Sequence, residues 1–387
     1  MRRLRVAVNA EQLLNRSPGG IGRYTAQLLT VLPATCPDCD MVPLAARHPR
    51  SEIAARLDAL GVRPGTVASL AVQPWPAPLL YEGWLRWGRP RLRGVHDLDL
   101  VHAPSVAVPP SGGLPLVVTV HDAGPDLFPH AFTPHGRRFH RRALEVVARR
   151  ADAVITVSQA AAAEIAARTP IAAGRIHVVP NGVDPPVPHP KTHEEDTAIL
   201  ARVGLAGRRY VLWVGSLEPR KGVDTLIQAM VVRRRRRPDD DVVTVLAGFE
   251  GWLNDDLVTE GDRAALGSSL IELGRIDDAV LWALYRHATV FAFPSRHEGF
   301  GLPVVEAMSQ GAAVVASDIE VMREVAGDAA VLVPAGRPEQ WADAIDALVD
   351  DPGQRARLGR AGVDRSRLFS AAAMAEATRA VYQTVGS

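Results

Sequence analysis

Val290-Phe291-Ala292-Phe293 is followed by the loop Pro294-Ser295-Arg296-His297-Glu298-Gly299-Phe300-Gly301 and then by Leu302-Pro303-Val304-Val305-Glu306-Ala307-Met308. The four apolar residues read as a short strand buried on both faces. The polar, glycine-bearing loop leads into a helix that starts near Leu302, with Pro303 suited to its first turn. Strand, loop and helix in that order are the repeating unit of a parallel α/β sheet.

The same unit recurs in both directions. Apolar runs at Val6–Val8, Leu116–Val120, Ala153–Val157 and Ile176–Val179 form one series. A second comprises Tyr210–Val214, Val242–Leu246, Leu270–Leu273, Val290–Phe293 and Ala313–Ala316. Helical spacing separates them at Gly22–Leu32, Ser158–Arg168, Asp224–Val231, Asp278–His287 and Leu302–Gln310. The expectation is an α/β chain of two Rossmann-like, doubly wound domains facing across a cleft. Between the series lies Asp184-Pro185-Pro186-Val187-Pro188-His189-Pro190, followed by the polar run Lys191–Asp196. Four prolines in that stretch can continue neither a helix nor a central strand. The division is therefore 1–183, a linker at 184–197, 198–368, and an Ala-rich terminal helix within 369–387.

Composition narrows the class. The 387 residues are 47% apolar and 22% charged, a globular balance too long for one comfortable core. Net charge is +1, so no whole-molecule field favours nucleic acid, and none is expected as a partner. No apolar run approaches the roughly 18 residues that span a bilayer. Arg2, Arg3 and Arg5 flank a group too short for a signal-peptide core, so Val6–Val8 reads as a first strand and the chain is expected in the cytoplasm. The two cysteines, Cys36 and Cys39, have no second Cys/His pair to complete a zinc site and read as free thiols in a loop.

Three motifs carry chemistry. Ser17-Pro18-Gly19-Gly20-Ile21-Gly22 opens the first helix, where glycines and free backbone amides suit a pyrophosphate. It departs from the dinucleotide fingerprint, and no acidic residue ends a second strand about 20 residues on, which counts against nicotinamide. Gly215-Ser216-Leu217-Glu218-Pro219-Arg220-Lys221-Gly222 sets two cations at the carboxyl end of a strand, where charge on a leaving phosphate can be stabilised. In the third, Glu298 lies in the loop and Glu306 about one turn into the helix. The two read as carboxylates that accept hydrogen bonds at opposite ends of one ligand.

The E-x7-E spacing of Glu298 and Glu306 resembles the signature of the family-4 retaining glycosyltransferases, which have the GT-B fold. Gly19-Gly20-Ile21-Gly22-Arg23-Tyr24, Val120-His121-Asp122, Val157-Ser158, Asn181-Gly182-Val183-Asp184 and Arg220-Lys221-Gly222 stand in the order that family shows, so the resemblance covers nearly the whole chain. It implies a nucleotide-sugar co-substrate and neither a cofactor nor a metal. It implies that Glu298 contacts the transferred sugar, that the amides of Phe300, Gly301 and Leu302 surround sugar and phosphates, and that Glu306 holds the ribose. Lys221, with Arg220, would bind the pyrophosphate, Gly20 would meet it from the other domain, and His121 would lie beside the reacting sugar. The last helix would cross back to the first domain. Ser216 stands where many members carry arginine, and either Arg220 or Arg296 is a candidate to replace that charge.

Retention would then come by front-face displacement. Asp97-Leu98-Asp99 has the Asp-x-Asp form of metal-dependent transferases, but it precedes the strand-like Leu100-Val101-His102 and reads as solvated loop. The glycine–cation motif resembles subgroups that use GDP-mannose, so mannosyl transfer is the expected activity. A UDP-sugar donor, a non-hydrolysing epimerase on the same fold and a non-catalytic nucleotide-sugar binder remain open. The acceptor is a glycan, a lipid-linked saccharide or a small molecule. The arginine run Arg233–Arg237 reads as a solvated connection neutralised by Asp239–Asp241. Trp75 to Arg93, with Trp84, Trp87, Arg86 and Arg89, reads as packed or as an acceptor wall, with peripheral membrane contact at the inner face as the alternative. His96, His102, His130, His135 and His140 lack metal-site spacing and read as surface or structural.

Overall fold

The computed structural model describes residues 3–15, 19–62, 70–186, 192–249 and 257–386. Ser17 and Pro18 of the first motif, residues 187–191 of the proline-rich stretch and the side chain of His130 lie outside the described residues. The chain forms two compact units. The first comprises residues 1–127, 133–182 and the terminal segment from Ser370; the second comprises 128–132 and 183–369.

The first unit opens with β1 (Leu4–Asn9), α1 (Gly19–Thr35), β2 (Cys39–Ala45), α2 (Arg50–Ala59), β3 (Ala71–Val72) and α3 (Ala77–Trp87). It continues through β4 (Leu100–Ala103), β5 (Leu116–Thr119), α4 (Gly124–Leu127), α5 (Pro134–Arg150), β6 (Ala153–Thr156), α6 (Gln159–Arg168) and β7 (Ile176–Val178). Its sheet is parallel throughout, in the order β3-β2-β1-β4-β5-β6-β7. β1, β4, β5 and β6 are nearly all apolar because helices cover both sheet faces.

The second unit runs α7 (Thr192–Arg202), β8 (Tyr210–Val214), α8 (Val223–Arg236), β9 (Val243–Ala247), α9 (Glu260–Leu266), β10 (Leu270–Gly274) and α10 (Asp278–His287). After these come β11 (Val290–Phe293), α11 (Leu302–Ser309), β12 (Val314–Ser317), α12 (Glu320–Ala326), β13 (Ala330–Val333), α13 (Pro338–Asp350) and α14 (Pro352–Ser366). This sheet is also parallel, ordered β10-β9-β8-β11-β12-β13. Both units therefore wind outward in two directions from their first strand, which is the Rossmann-like order. The last helix, α15 (Ala371–Val385), belongs to the first unit, where Met374, Ala375, Val381 and Tyr382 join the core that holds Leu28, Leu29 and Leu32 of α1.

Several local readings are corrected. Residues 192–197, read as linker, are the first turns of α7, because Asp196 is buried against Arg286 (2.7 Å) and His287 (3.0 Å) of α10. Cys36 and Cys39 are both free and buried in the core; Cys36 lies in the short connection from α1, whereas Cys39, read as loop, opens β2. That burial pushes the Cys39 thiol up to about 12, which disfavours the thiolate. β2 is a strand that the apolar runs quoted above do not include, and its Pro43 stands in register with Val8. Most of the arginine run is the end of α8, and Arg233 is only 3% exposed. Arg233 pairs with Asp240 and, at 2.6 Å, with Asp346 of α13. Arg237 reaches Asp350 of the same helix at 2.5 Å. Asp99 is half-buried rather than freely solvated, its carboxylate accepting from the Arg5 amide at 2.9 Å.

Candidate active-site residues in each unit

In sheets of this order, ligands bind at the carboxyl ends of the strands where the winding reverses. That point lies between β8 and β11 in the second unit and between β1 and β4 in the first.

In the second unit the loop after β8 carries Ser216 to Gly222, and the loop after β11 carries Pro294 to Gly301. Since β8 and β11 pair directly, the two loops leave the sheet side by side. Gly222 adopts φ +65°, and a Cβ there would stand 2.0 Å from the Pro294 carbonyl oxygen, so only glycine permits this approach. The Arg296 amide donates to the Arg220 carbonyl at 2.8 Å and locks the loops together. The Arg296 guanidinium donates to Asp224 at 2.9 and 2.5 Å and to the Pro219 carbonyl at 2.5 Å. Arg296 therefore braces the loop, and it is Arg220 that reaches Glu298.

The consequence is a compact charge cluster. Lys221 Nζ lies 2.7 Å from Glu298 Oε1, and Arg220 Nη1 lies 3.5 Å from Oε2. Glu218 accepts from Arg220 Nε at 3.0 Å and from the Ser216 hydroxyl. Burial pushes the Glu298 carboxyl up, but the Lys221 and Arg220 charges outweigh it and hold the group below the usual carboxylate range. Burial and the neighbouring Arg220 draw the Lys221 ammonium down against the pull of Glu298. Two cations facing one carboxylate can exchange that partner for phosphate oxygens.

Beyond the loop, Gly301 caps α11 with φ +92°, and a Cβ there would meet Met322 at 2.5 Å. Phe300 packs edge-on to Phe369, which holds the loop backbone before Leu302 begins the helix. Glu306 is 5% exposed, and the Tyr285 hydroxyl of α10 donates to it at 2.9 Å. Tyr285 and Glu218 were missed as positioning residues. Glu218 lies inside the quoted motif, but Tyr285 belongs to a helix whose apolar spacing conceals its hydroxyl.

The first unit is built differently. Gly20 sits exposed in the first turn of α1. His121 follows β5, and its Nε2 lies 2.9 Å from the Pro104 carbonyl, which can only accept. Nε2 therefore carries the proton, and Nδ1 is left as an acceptor. Burial lowers the His121 pKa, keeping the ring neutral. Tyr24 of α1 stands edge-on to it at 5.2 Å. Behind them runs a buried chain: Tyr24 hydroxyl to Thr119 Oγ (2.9 Å), Thr119 Oγ to His102 Nε2 (2.8 Å), and His102 Nδ1 to the Tyr382 hydroxyl of α15 (2.7 Å). His102 thus ties β4 and β5 to the terminal helix.

Two parallel Rossmann-like sheets, with cations and carboxylates gathered at the switch point of the second, define the GT-B class of glycosyltransferases. A family model described as glycosyl transferases group 1 matches residues 197–365, and one described as glycosyltransferase family 4 matches residues 18–186. The lipopolysaccharide core biosynthesis mannosyltransferase LpcC of Rhizobium leguminosarum bv. viciae is 31% identical over 263 residues, 66% of this chain and 70% of that protein. The O-antigen chain mannosyltransferase B of Escherichia coli is 33% identical over 182 residues, 47% of each, so this chain spans about half the length of that relative. An Anabaena protein, HepE, solved with UDP and glucose, superposes with a TM-score of 0.72 at 19% identity, over 99% of this chain and 100% of that one. The chain belongs to the family-4 glycosyltransferases.

Proposed function

We propose that the chain is a metal-independent, retaining hexosyltransferase that moves mannose from GDP-mannose to a glycan, glycolipid or small-molecule acceptor. The observation that carries the reading is the Lys221–Arg220–Glu298 cluster at the switch point of the second sheet. A donor diphosphate would take the two cations, freeing Glu298 to accept hydrogen bonds from the sugar, while Glu306, held by Tyr285, accepts from the ribose. The bond from the anomeric carbon to the donor phosphate oxygen breaks and the bond to the acceptor oxygen forms on the same face. The acceptor's proton passes to the departing phosphate oxygen. Lys221 and the start of α11 stabilise the charge that develops there. His121, neutral and with Nδ1 available, suits a hydrogen bond from a sugar hydroxyl.

Mannose as the transferred sugar is supported by relatives named as mannosyltransferases. These include the MMP alpha-(1->4)-mannosyltransferase of Mycolicibacterium hassiacum, 32% identical over 289 residues, 70% of this chain and 66% of that protein. A second reading, a UDP-sugar donor, is favoured by the neighbour solved with UDP-glucose. Thermal shift with GDP and UDP separates them: strong stabilisation by GDP supports the first reading, and stabilisation by UDP alone replaces it with the second. Glu306→Ala should weaken nucleotide binding, whereas Glu298→Ala should mainly depress turnover. Near-normal turnover in both variants overturns the assignment. The anomeric configuration of the product, turnover in chelator and a mass-spectrometric search for a glycosyl adduct on Glu298 test the retaining, metal-independent and front-face parts in turn.

A further inference from the structure

We propose that α3 and α5 of the first unit form a docking face for an anionic bilayer, with arginines taking lipid phosphates and aromatic and aliphatic tips entering the interface. Among the described residues, three of the four exposed large hydrophobic side chains fall within a thirteen-residue stretch: Trp75 (49% exposed), Leu79 (60%) and Trp87 (70%). Trp84 of the same helix is packed inside with Leu80, so α3 has one buried side and one apolar side facing outward. Leu79 and Arg86, seven residues apart, share a stripe of α3, with Trp87 adjoining it.

Next to this stripe lies a helix of one dominant sign. Arg138, Arg141, Arg142 and Arg149 are exposed positions of α5, and Glu145 is the one acidic residue that the helix carries. The two helices meet at Glu82 of α3, which pairs with Arg86 at 2.6 Å and with Arg142 at 3.8 Å. The cationic stripe and the apolar tips therefore form one surface. At the start of α5, Pro134, Arg137, Arg138 and Arg141 line a cavity of about 150 Å³. Arg137 Nε is buried there and has no hydrogen-bond partner among the described residues. A phosphate oxygen would supply the acceptor it lacks.

Charge complementarity selects the occupant. Exposed tryptophan beside clustered arginine is the composition of an interfacial anchor, in which the ring lies at headgroup level and the guanidinium meets phosphate. A near-neutral protein surface would gain nothing from the arginines, and free phosphate nothing from Trp87 and Leu79. The face lies wholly within the first unit and does not depend on the donor reading.

Co-flotation of the full chain with vesicles tests this directly. With phosphatidylcholine containing phosphatidylglycerol, the wild type should float; with phosphatidylcholine alone it should not. Binding should fall as salt rises, by about fivefold for each arginine contact screened or removed. Arg138→Glu with Arg141→Glu should abolish flotation. Trp87→Ser with Leu79→Ser should weaken it at least about tenfold while lowering its salt dependence little, since that pair removes only apolar insertion. All four positions are exposed, so unchanged melting curves verify that the variants are folded. Failure of the wild type to float with anionic vesicles overturns the proposal. So does equal flotation of the charge-reversal variant, or a dimer in light scattering that Trp87→Ser dissolves.

Discussion

At the strand ends of the second unit the buried polar side chains are charged and paired, Lys221 and Arg220 with Glu298 and Glu218. In the first unit, at the ends of a sheet wound the same way, neutral groups are linked by hydrogen bonds from Tyr24 through Thr119 and His102 to Tyr382, and the buried carboxylate after β1, Glu11, is held by His48 and the Ala46 amide with no lysine or arginine beside it among its described partners. The difference extends to the scaffolding. The second unit ties α8 to α13 through Arg233 and Asp346 and α7 to α10 through Asp196 and Arg286. The first unit ties β4 and β5 to α15 through the uncharged imidazole of His102. Sheet order fixes where a ligand can sit, but the treatment of buried polar groups sets what kind of ligand is accommodated. Paired charges can be traded for a charged guest, whereas a neutral network orients groups suited to hydroxyls.

Acid should separate the units most strongly. Burial drops the His102 pKa from 6.5 to about 3. Between those values the unfolded chain binds a proton that the folded chain does not, so stability is complete above about pH 6.5 and falls as pH drops toward 3. The slope is up to about 1.4 kcal/mol per pH unit for this one group. His121, also lowered by burial and beside Asp122, adds in the same direction, while Tyr24, Thr119 and Tyr382 bring no charge to His102. Acid titration of wild type and His102→Gln checks this, with a shallower slope expected in the variant.

The charged scaffold of the second unit predicts the next largest effect. Arg233→Ala should leave Asp240 with Arg209 and Asp346 with the more distant Arg237, and cost about 2–3 kcal/mol in denaturant unfolding, less than the loss of a sole partner. A cost near that of a surface substitution would erase the contrast between the units. On the proposed function, in which its charge would stabilise the departing phosphate, Lys221→Ala should lower turnover by about 10²–10³ with little change in melting temperature. Tyr285→Phe leaves the ring and removes one donor to Glu306, so nucleotide affinity should fall by about 1.5–3 kcal/mol in calorimetry.

Much of this was legible beforehand. The strands Val290–Phe293 and Tyr210–Val214 announce themselves because parallel strands covered on both faces are continuously apolar. Glu298, Glu306, Arg220 and Lys221 stand out since glycine loops at strand ends tolerate few other purposes. α5 did not announce itself: its apolar positions Ala143, Leu144, Val146 and Val147 crowd into the second half, and arginines fill much of the rest. The first turns of α7, up to residue 197, read as linker because what holds Asp196, Arg286 and His287, lies about 90 residues away. Trp75, Trp84 and Trp87 look alike in sequence, yet Trp84 is buried and the other two are exposed.

From the chain alone came the α/β class, the two series of strands, the loops that bear charge and the family that they resemble, because each depends on residues close together in sequence. Only the folded structure decided that Arg220 rather than Arg296 faces Glu298, that His102 is a neutral tie to α15, and that α7 begins where a linker was expected. Those outcomes depend on which partner neutralises or hydrogen-bonds a polar group as it leaves water. That partner is supplied by strands and helices far along the chain.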